Sequence, residues 1–231
     1  MNSYSRNKIT ISIALLSMIL IFFPIYFIFF GYNSIIEQWG LISIIIVSVA
    51  ILSVIMEFSR QKPTSRDIAI IIVLGTTIAA LRIPFAALPS IQPCTFLIIC
   101  CGITFGSVTG FMIGIMTPLI SNLFLGHGPW TPLQMYAWGV IGAMSTLVRF
   151  NPKINRWKLG LLGISSGYFY GFIMNIWFWY SFLYPHNIST FFFAQIQGLG
   201  FDTLHAISNF LFLVILGNRI LPILKNLSNK L

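Results

Sequence analysis

SNLFLGHGPWTPLQMYAWG, residues 121–139, sits between two long apolar runs and decides how the whole chain is read. Asn122 closes one apolar run. Gly126 and Gly128 permit a sharp loop, because glycine reaches positive φ at little cost. Pro129 and Pro132 stiffen that loop, and Thr131 can cap the following helix with Pro132 in its first turn. Such a stretch is a short rigid turn between two membrane-crossing helices. A plain turn with a tryptophan in the interfacial belt accounts for much of it. It does not account for Asn122, His127 and Gln134, since polar groups near lipid are costly unless they face a cavity.

Composition fixes the solvent. The chain has 231 residues, of which 57% are hydrophobic and 7% charged, and its mean hydropathy is +0.91. Soluble domains carry about 25% charged residues, and a soluble fold of this size has no interior large enough for so much apolar surface. The net charge of +9 does not point to nucleic acid, because the basic residues fall at segment ends rather than in a patch. Cys94, Cys100 and Cys101 lie in apolar runs without a CxxC pair or a histidine at ligand spacing, and read as small core residues. The first apolar run is too long for a signal peptide and lacks a small-residue cleavage site, so it reads as a retained span.

Continuous apolar runs without period-two alternation predict helices rather than barrel strands. They fall near 9–31, 40–58, 67–82, 92–105, 107–124, 132–149, 159–183 and 201–222, about eight spans. Gly102 and Gly106 mark a tight hairpin between the fourth and fifth. With that count, Arg6, Lys8, Arg60, Lys62, Arg66, Arg149, Lys153, Arg156, Lys158, Arg219, Lys225 and Lys230 all fall on one side, the cytoplasm, with both termini. The loops near 32–39, 124–131 and 184–200 carry no Lys or Arg. Arg82 breaks the pattern at the outer end of the third span. It either snorkels to the headgroups or stands at the mouth of a ligand cavity, with Asp202 as a potential partner. Asp202 is one of four acidic residues, with Glu37, Glu57 and Asp67.

The chain divides in two. Residues 1–58 form a plain accessory hairpin, 59–65 a cytoplasmic linker within SRQKPTSRD, and 66–231 the working unit, richer in Gly, Pro, Asn, Gln, Trp and Tyr. Three polar clusters belong to that unit. The first is Asn122, His127, Gln134 and Tyr136 with Trp130 and Trp138. The second is Asn175 in GYFYGFIMNIWFWYSF, with Trp177, Trp179 and Tyr180 as belt or stacking residues, and Gly167 and Gly171 at GxxxG spacing for close helix contact. The third is Asp202, His205 and Asn209, which share a helix face, with Gln195 and Gln197 just before them. Each cluster reads equally well as a polar seam between helices. Together they converge on the outer half of a six-helix bundle, the geometry of a solute pocket open to the exterior. Enzyme readings find no purchase: there is no HExxH, no acidic pair, no Ser/His pair and no P-loop. No cofactor or metal site is expected.

ALRIPFAALPSIQPCTFLIICCGITFGSVTGFMIGIMTPLISNLFLGHGPWTPLQMYAWGVIGAMS, with the NIWFWYSF and FDTLHAISNFLF stretches, resembles the substrate-binding membrane subunits, or S components, of energy-coupling factor (ECF) vitamin transporters. The GPWTPLQM loop is the most specific part, and the likeness spans about 66–222. The resemblance implies an all-α polytopic membrane protein of the cell membrane. Its core is a six-helix bundle, here preceded by an extra N-terminal transmembrane hairpin. Such a subunit captures a vitamin outside, then joins a coupling membrane protein and two ATPase subunits. The GPWTP-containing subgroup resembles S components for cobalamin, while riboflavin or a deazapurine also suits an aromatic-rich site. On this reading Arg82, Asn122, His127, Trp130, Gln134, Tyr136, Asn175, Trp179, Asp202 and His205 bind the solute. Gly75 and Ala79, with Thr76 and Ala80 beside them, contact the coupling protein, and IPFAALPSIQP is the gate. A non-transporting scaffold or assembly protein, whose polar residues only join helices, is the alternative.

Overall fold

A computed structural model describes residues 9–17, 19, 39–148 and 154–230. The remainder of the span expected at 9–31, together with Arg6, Lys8, Glu37, Arg149 and Lys153, lies outside the described residues. Every regular element among the described residues is helical. They are α1 (9–17), α2 (Trp39–Arg60), α3 (Ser65–Phe85), α4 (Cys94–Phe105), α5 (Ser107–Leu125), α6 (Thr131–Met144), α7 (Arg156–Phe182) and α8 (Ile188–Phe212). A π-helical segment, Leu213–Gly217, joins α8 without a break to α9 (Asn218–Lys230).

Among the described residues, five helical stretches are long and apolar enough to cross a membrane: Ile42–Arg60, Ser65–Phe85, Ser107–Leu125, Arg156–Phe182 and Ile188–Asn229. Their apolar residues point both inward and outward, as expected where the surrounding solvent is lipid. The chain is therefore a helical membrane-embedded protein. α4 has only 12 residues, or about 18 Å at 1.5 Å per residue. That is short of the ~30 Å hydrocarbon core, but nearly every α4 side chain is buried among its neighbours.

Local chemistry sets the ends. Thr64 and Asp67 form a reciprocal capping box that starts α3: the Thr64 N–H donates to Asp67 Oδ2 at 2.8 Å and the Asp67 N–H to Thr64 Oγ1 at 3.3 Å. Gly106 (φ 97°) turns α4 directly into α5, and Gly126 (φ 98°) ends α5. Asn187 and Thr190 form a second capping box that starts α8. This last point corrects the expected boundary. Residues 184–200 do not form a loop. Helix α8 begins at Ile188, so Asp202 lies well inside it rather than at its start. The linker between α7 and α8 is only residues 183–187.

The helices alternate in direction, so the chain's ends sort by charge. Arg60, Lys62 and Arg66 stand at the same end as Arg156, Lys158, Arg219 and Lys225, and Arg66 Nη2 donates to the Ser228 carbonyl at 3.1 Å there. The opposite end, formed by 86–93, 126–130 and 183–187, carries no Lys or Arg, and Arg82 lies just beneath it.

Small residues set how closely the helices approach. A Cβ on Gly142 of α6 or Gly110 of α5 would run into the other's backbone. Along α7, Gly160, Gly163, Gly167 and Gly171 face Phe210, Asn209, Ala206 and Asp202 of α8, which fulfils the GxxxG expectation of close contact. The three cysteines are buried and free, the small core residues expected of them. The N-terminal segment packs onto the bundle. Ala14 belongs to the same core as Val47, Tyr136 and Val140.

Candidate functional site

Arg82 enters from the last turn of α3, one turn before the helix ends at Phe85. It is 7% exposed. Its Nη1 donates to Ser121 Oγ and to Asn122 Oδ1 of α5, both at 2.7 Å, and its Nε donates to Gln92 Oε1 at 3.2 Å. The guanidinium carbon lies 5.0 Å from the Trp138 ring centroid, a cation–π contact.

Asn122 carries the chain of bonds to α6. Its Nδ2 donates to Gln134 Oε1 at 2.8 Å and to Thr131 Oγ1 at 3.1 Å. Gln134 Nε2 then donates to the Tyr170 hydroxyl of α7 at 3.2 Å. Tyr170 stacks on Trp138 with centroids 4.7 Å apart, and its other neighbour is the His205 ring at 5.3 Å.

His205 closes the circuit. Its Nδ1 lies 2.9 Å from the Ser90 carbonyl oxygen, which only accepts, so Nδ1 carries the proton. In the neutral ring Nε2 then accepts from Thr95 Oγ1 at 3.0 Å, and Thr95 Oγ1 accepts from Trp138 Nε1 at 2.9 Å. Six helices, α3 to α8, thus each contribute at least one side chain to one buried polar network. Residues 86–93 lie over it, tied down by Ser90 and Gln92.

Asn175 and Asp202 form a separate group. Asn175 Nδ2 donates to Asp202 Oδ2 at 2.8 Å and more weakly to Gln195 Oε1 at 3.4 Å. This pair bridges α7 and α8 beside a groove lined by Met174, Trp177, Ala194, Gln197 and Phe201. Arg82 and Asp202 do not pair. Arg82 is held by neutral oxygens, and Asp202 by an amide.

The structure therefore gathers Arg82, Asn122, Gln134 and His205, and joins to them Gln92, Thr95, Ser121, Thr131, Trp138 and Tyr170. Other expected members lie elsewhere. Tyr136 points away from the network: its hydroxyl bonds Ser17 Oγ at 2.8 Å and the Ala14 carbonyl at 3.4 Å, so it anchors α1. Positions 134 and 136 on one helix stand about 200° apart, so they cannot line one site. Trp179 is buried between α7 and α8, with Nε1 donating to Thr190 Oγ1 at 3.0 Å. His127 is exposed, with a long contact of 3.4 Å to Thr131 Oγ1. Trp130 packs edge-on to Trp177 at 5.5 Å. Thr131 is the first residue of α6 rather than its cap, and its hydroxyl instead receives Asn122 Nδ2 and the Gly128 N–H.

The proposed coupling face also divides. Gly75 and Ala79 are buried, and a Cβ on Gly75 would stand 2.7 Å from Met116 Cβ, so this ridge packs α3 onto α5. Thr76 and Ala80 lie on the exposed side of α3. Among the described residues, no group of three or more His, Cys, Asp or Glu could hold a metal ion.

No curated protein and no solved structure matches the chain. What does match covers the network entirely, from the residue after α2 to within α9: residues 61–223 fit the profile of a family of unknown function, DUF6580, and the chain belongs to that family.

Proposed function

We propose that this protein is the substrate-specific membrane subunit of an ECF-type importer. It takes a vitamin from outside the cell, in first place cobalamin or a related corrinoid. It delivers that solute through a coupling membrane protein and two ATPase subunits, and has no ATPase site of its own. In this reading α3 to α8 are the six-helix solute bundle, residues 1–58 an accessory hairpin, and the chain crosses the cell membrane about eight times. The end bearing Arg60, Arg66, Arg156 and Lys225 faces the cytoplasm, by the excess of basic residues there.

The observation that carries this reading is the network around Arg82. Buried polar side chains within a membrane-embedded bundle are costly, and here six helices aim theirs at one place, beneath the end that would face outward. Thr76 and Ala80 remain on the open face of α3 for the coupling protein.

Riboflavin or a deazapurine is the next choice of solute. A non-transporting scaffold is favoured by one specific observation: Asn122, Gln134, Thr95 and His205 satisfy one another's hydrogen bonds, as side chains that merely lock helices would. Retention separates the two. The purified full chain in nanodiscs is expected to retain cyanocobalamin on a spin filter. A folded protein that retains neither cyanocobalamin, riboflavin nor a deazapurine refutes solute capture.

A further inference from the structure

Arginine is rarely buried without an anionic partner, and Arg82 is buried with only neutral ones. A guanidinium offers five N–H donors. Three bonds leave Nε and Nη1 for the oxygens of Gln92, Ser121 and Asn122, and Nη2 donates to no described residue. The carboxylates are engaged elsewhere: Glu57 accepts from Gln61, Asp67 caps α3, and Asp202 accepts from Asn175. Glu37 lies outside the described residues. Dipoles and the face of Trp138 offset part of the desolvation of this cation, but they do not neutralise it.

The three oxygen partners are not equivalent. The bonds to Ser121 and Asn122 are 2.7 Å and come from the body of α5. The bond to Gln92 is 3.2 Å and comes from the covering segment 86–93. That segment's other side-chain ties are the Ser90 carbonyl, which accepts from His205 Nδ1, and a long thiol contact from Cys94 Sγ to Gln92 Oε1 at 3.9 Å. Gln92 Oε1 therefore occupies the most replaceable position around the cation, on the side that faces the nearby end of the bundle.

We infer that Arg82 is the seat for an anionic group, a carboxylate or phosphate, on the solute, which takes the place of the Gln92 amide oxygen and uses the free Nη2. This rests on the solute-capture reading and narrows it to solutes that bear such a group. A bidentate arginine–oxyanion pair, formed away from water, is the strongest polar contact the site can make.

Matched pairs test it. The full chain in phosphatidylcholine nanodiscs is titrated with biotin and biotinamide and with nicotinate and nicotinamide, which differ only at the carboxylate, and with cyanocobalamin and dicyanocobinamide, which lacks the whole phosphodiester-linked nucleotide loop. At least one anionic member is expected to bind about tenfold or more tighter than its neutral counterpart, the scale of a charged hydrogen bond. Arg82→Gln should erase that ratio, and Arg82→Lys should keep part of it. Equal binding of both members of every pair that binds overturns the anion seat while leaving solute capture intact. Binding of none of the six overturns the anion seat, and solute capture falls with it only if riboflavin and a deazapurine are not retained either. Repeating the titration in phosphatidylglycerol discs identifies the source of the anion: if acid binding disappears there alone, headgroups occupy Arg82, which supports the seat and counts against a soluble cargo. The wild-type ratio for the biotin or the nicotinate pair decides the matter even if Arg82→Gln does not fold, and Arg82→Lys decides it for the corrinoid pair.

Discussion

Replacing Asn122 by leucine removes the hinge of the polar network while keeping the heavy-atom count and branching of the side chain. Three bonds go: Arg82 Nη1 to Oδ1 at 2.7 Å, Nδ2 to Gln134 at 2.8 Å and Nδ2 to Thr131 at 3.1 Å. The first is charge-assisted and contributes about 1.5–3 kcal/mol. The other two are neutral helix–helix bonds in a membrane protein, where double-mutant cycles average about 0.6 kcal/mol each. Arg82 keeps Ser121 and Gln92, so its charge is not wholly stranded. The expected loss is therefore about 3 kcal/mol. Reversible unfolding by steric trapping or in mixed micelles measures it, with Asn122→Asp as a second variant that restores an acceptor, now charged, for Arg82. Asn122→Asp should recover the Arg82 part of the loss. A loss below about 1 kcal/mol for Asn122→Leu, or no recovery in Asn122→Asp, would mean that the guanidinium is not held by this side chain.

Gly142→Ala places a Cβ against the Gly110 backbone carbonyl, where no flexible side chain can yield. It should cost roughly 1–3 kcal/mol by overpacking, read as a lower melting temperature in detergent. Tyr136→Phe deletes the bond to Ser17 and should cost about 1 kcal/mol. Because that bond anchors α1, the variant should also show faster proteolysis near the N-terminus. Ala80→Trp on the exposed side of α3 should leave stability within about 0.5 kcal/mol and abolish co-purification with a coupling protein. Intact co-purification would move the coupling face off α3.

Much of the helical layout was legible because apolar runs and glycine turns are local signals. Gly106 and Gly126 sit where the turns were expected, at positive φ. The start of α8 was hidden. Gln195, Gln197, Gly198 and Gly200 resemble loop residues, yet Asn187 and Thr190 cap a helix ahead of them, and Gly198 provides close approach to Asn175 rather than a break. Arg82, Asn122, Gln134 and His205 could be picked out because polar residues are scarce in such a chain. Ser121, Thr95 and Gln92 could not, since small hydroxyls and a loop amide are unremarkable singly and acquire meaning only through Arg82 and His205. Helical angle would have separated Tyr136 from Gln134, and would have joined Gln134 to Trp138, four residues on and on the same face. The split between Gly75 and Thr76 follows the same geometry: neighbouring positions are 100° apart, so only one of them can meet α5.

From Ile188 to Asn229 the backbone runs as one uninterrupted helix of 42 residues, about 63 Å long and twice the thickness of the hydrocarbon it lies in. The π-helical turn Leu213–Gly217 and Pro222 lie along it, two features at which long helices bend, and Leu221 and Leu224 hold its last part against the bundle. Such a strut links His205, under the covering segment, to Arg219 and Lys225 at the opposite pole. A bend of ~10° at the π-helical turn would carry the last residues of α9, about 20 Å further on, by roughly 3 Å. His205 and the basic surface thus share one continuous backbone, with a point of flexure between them.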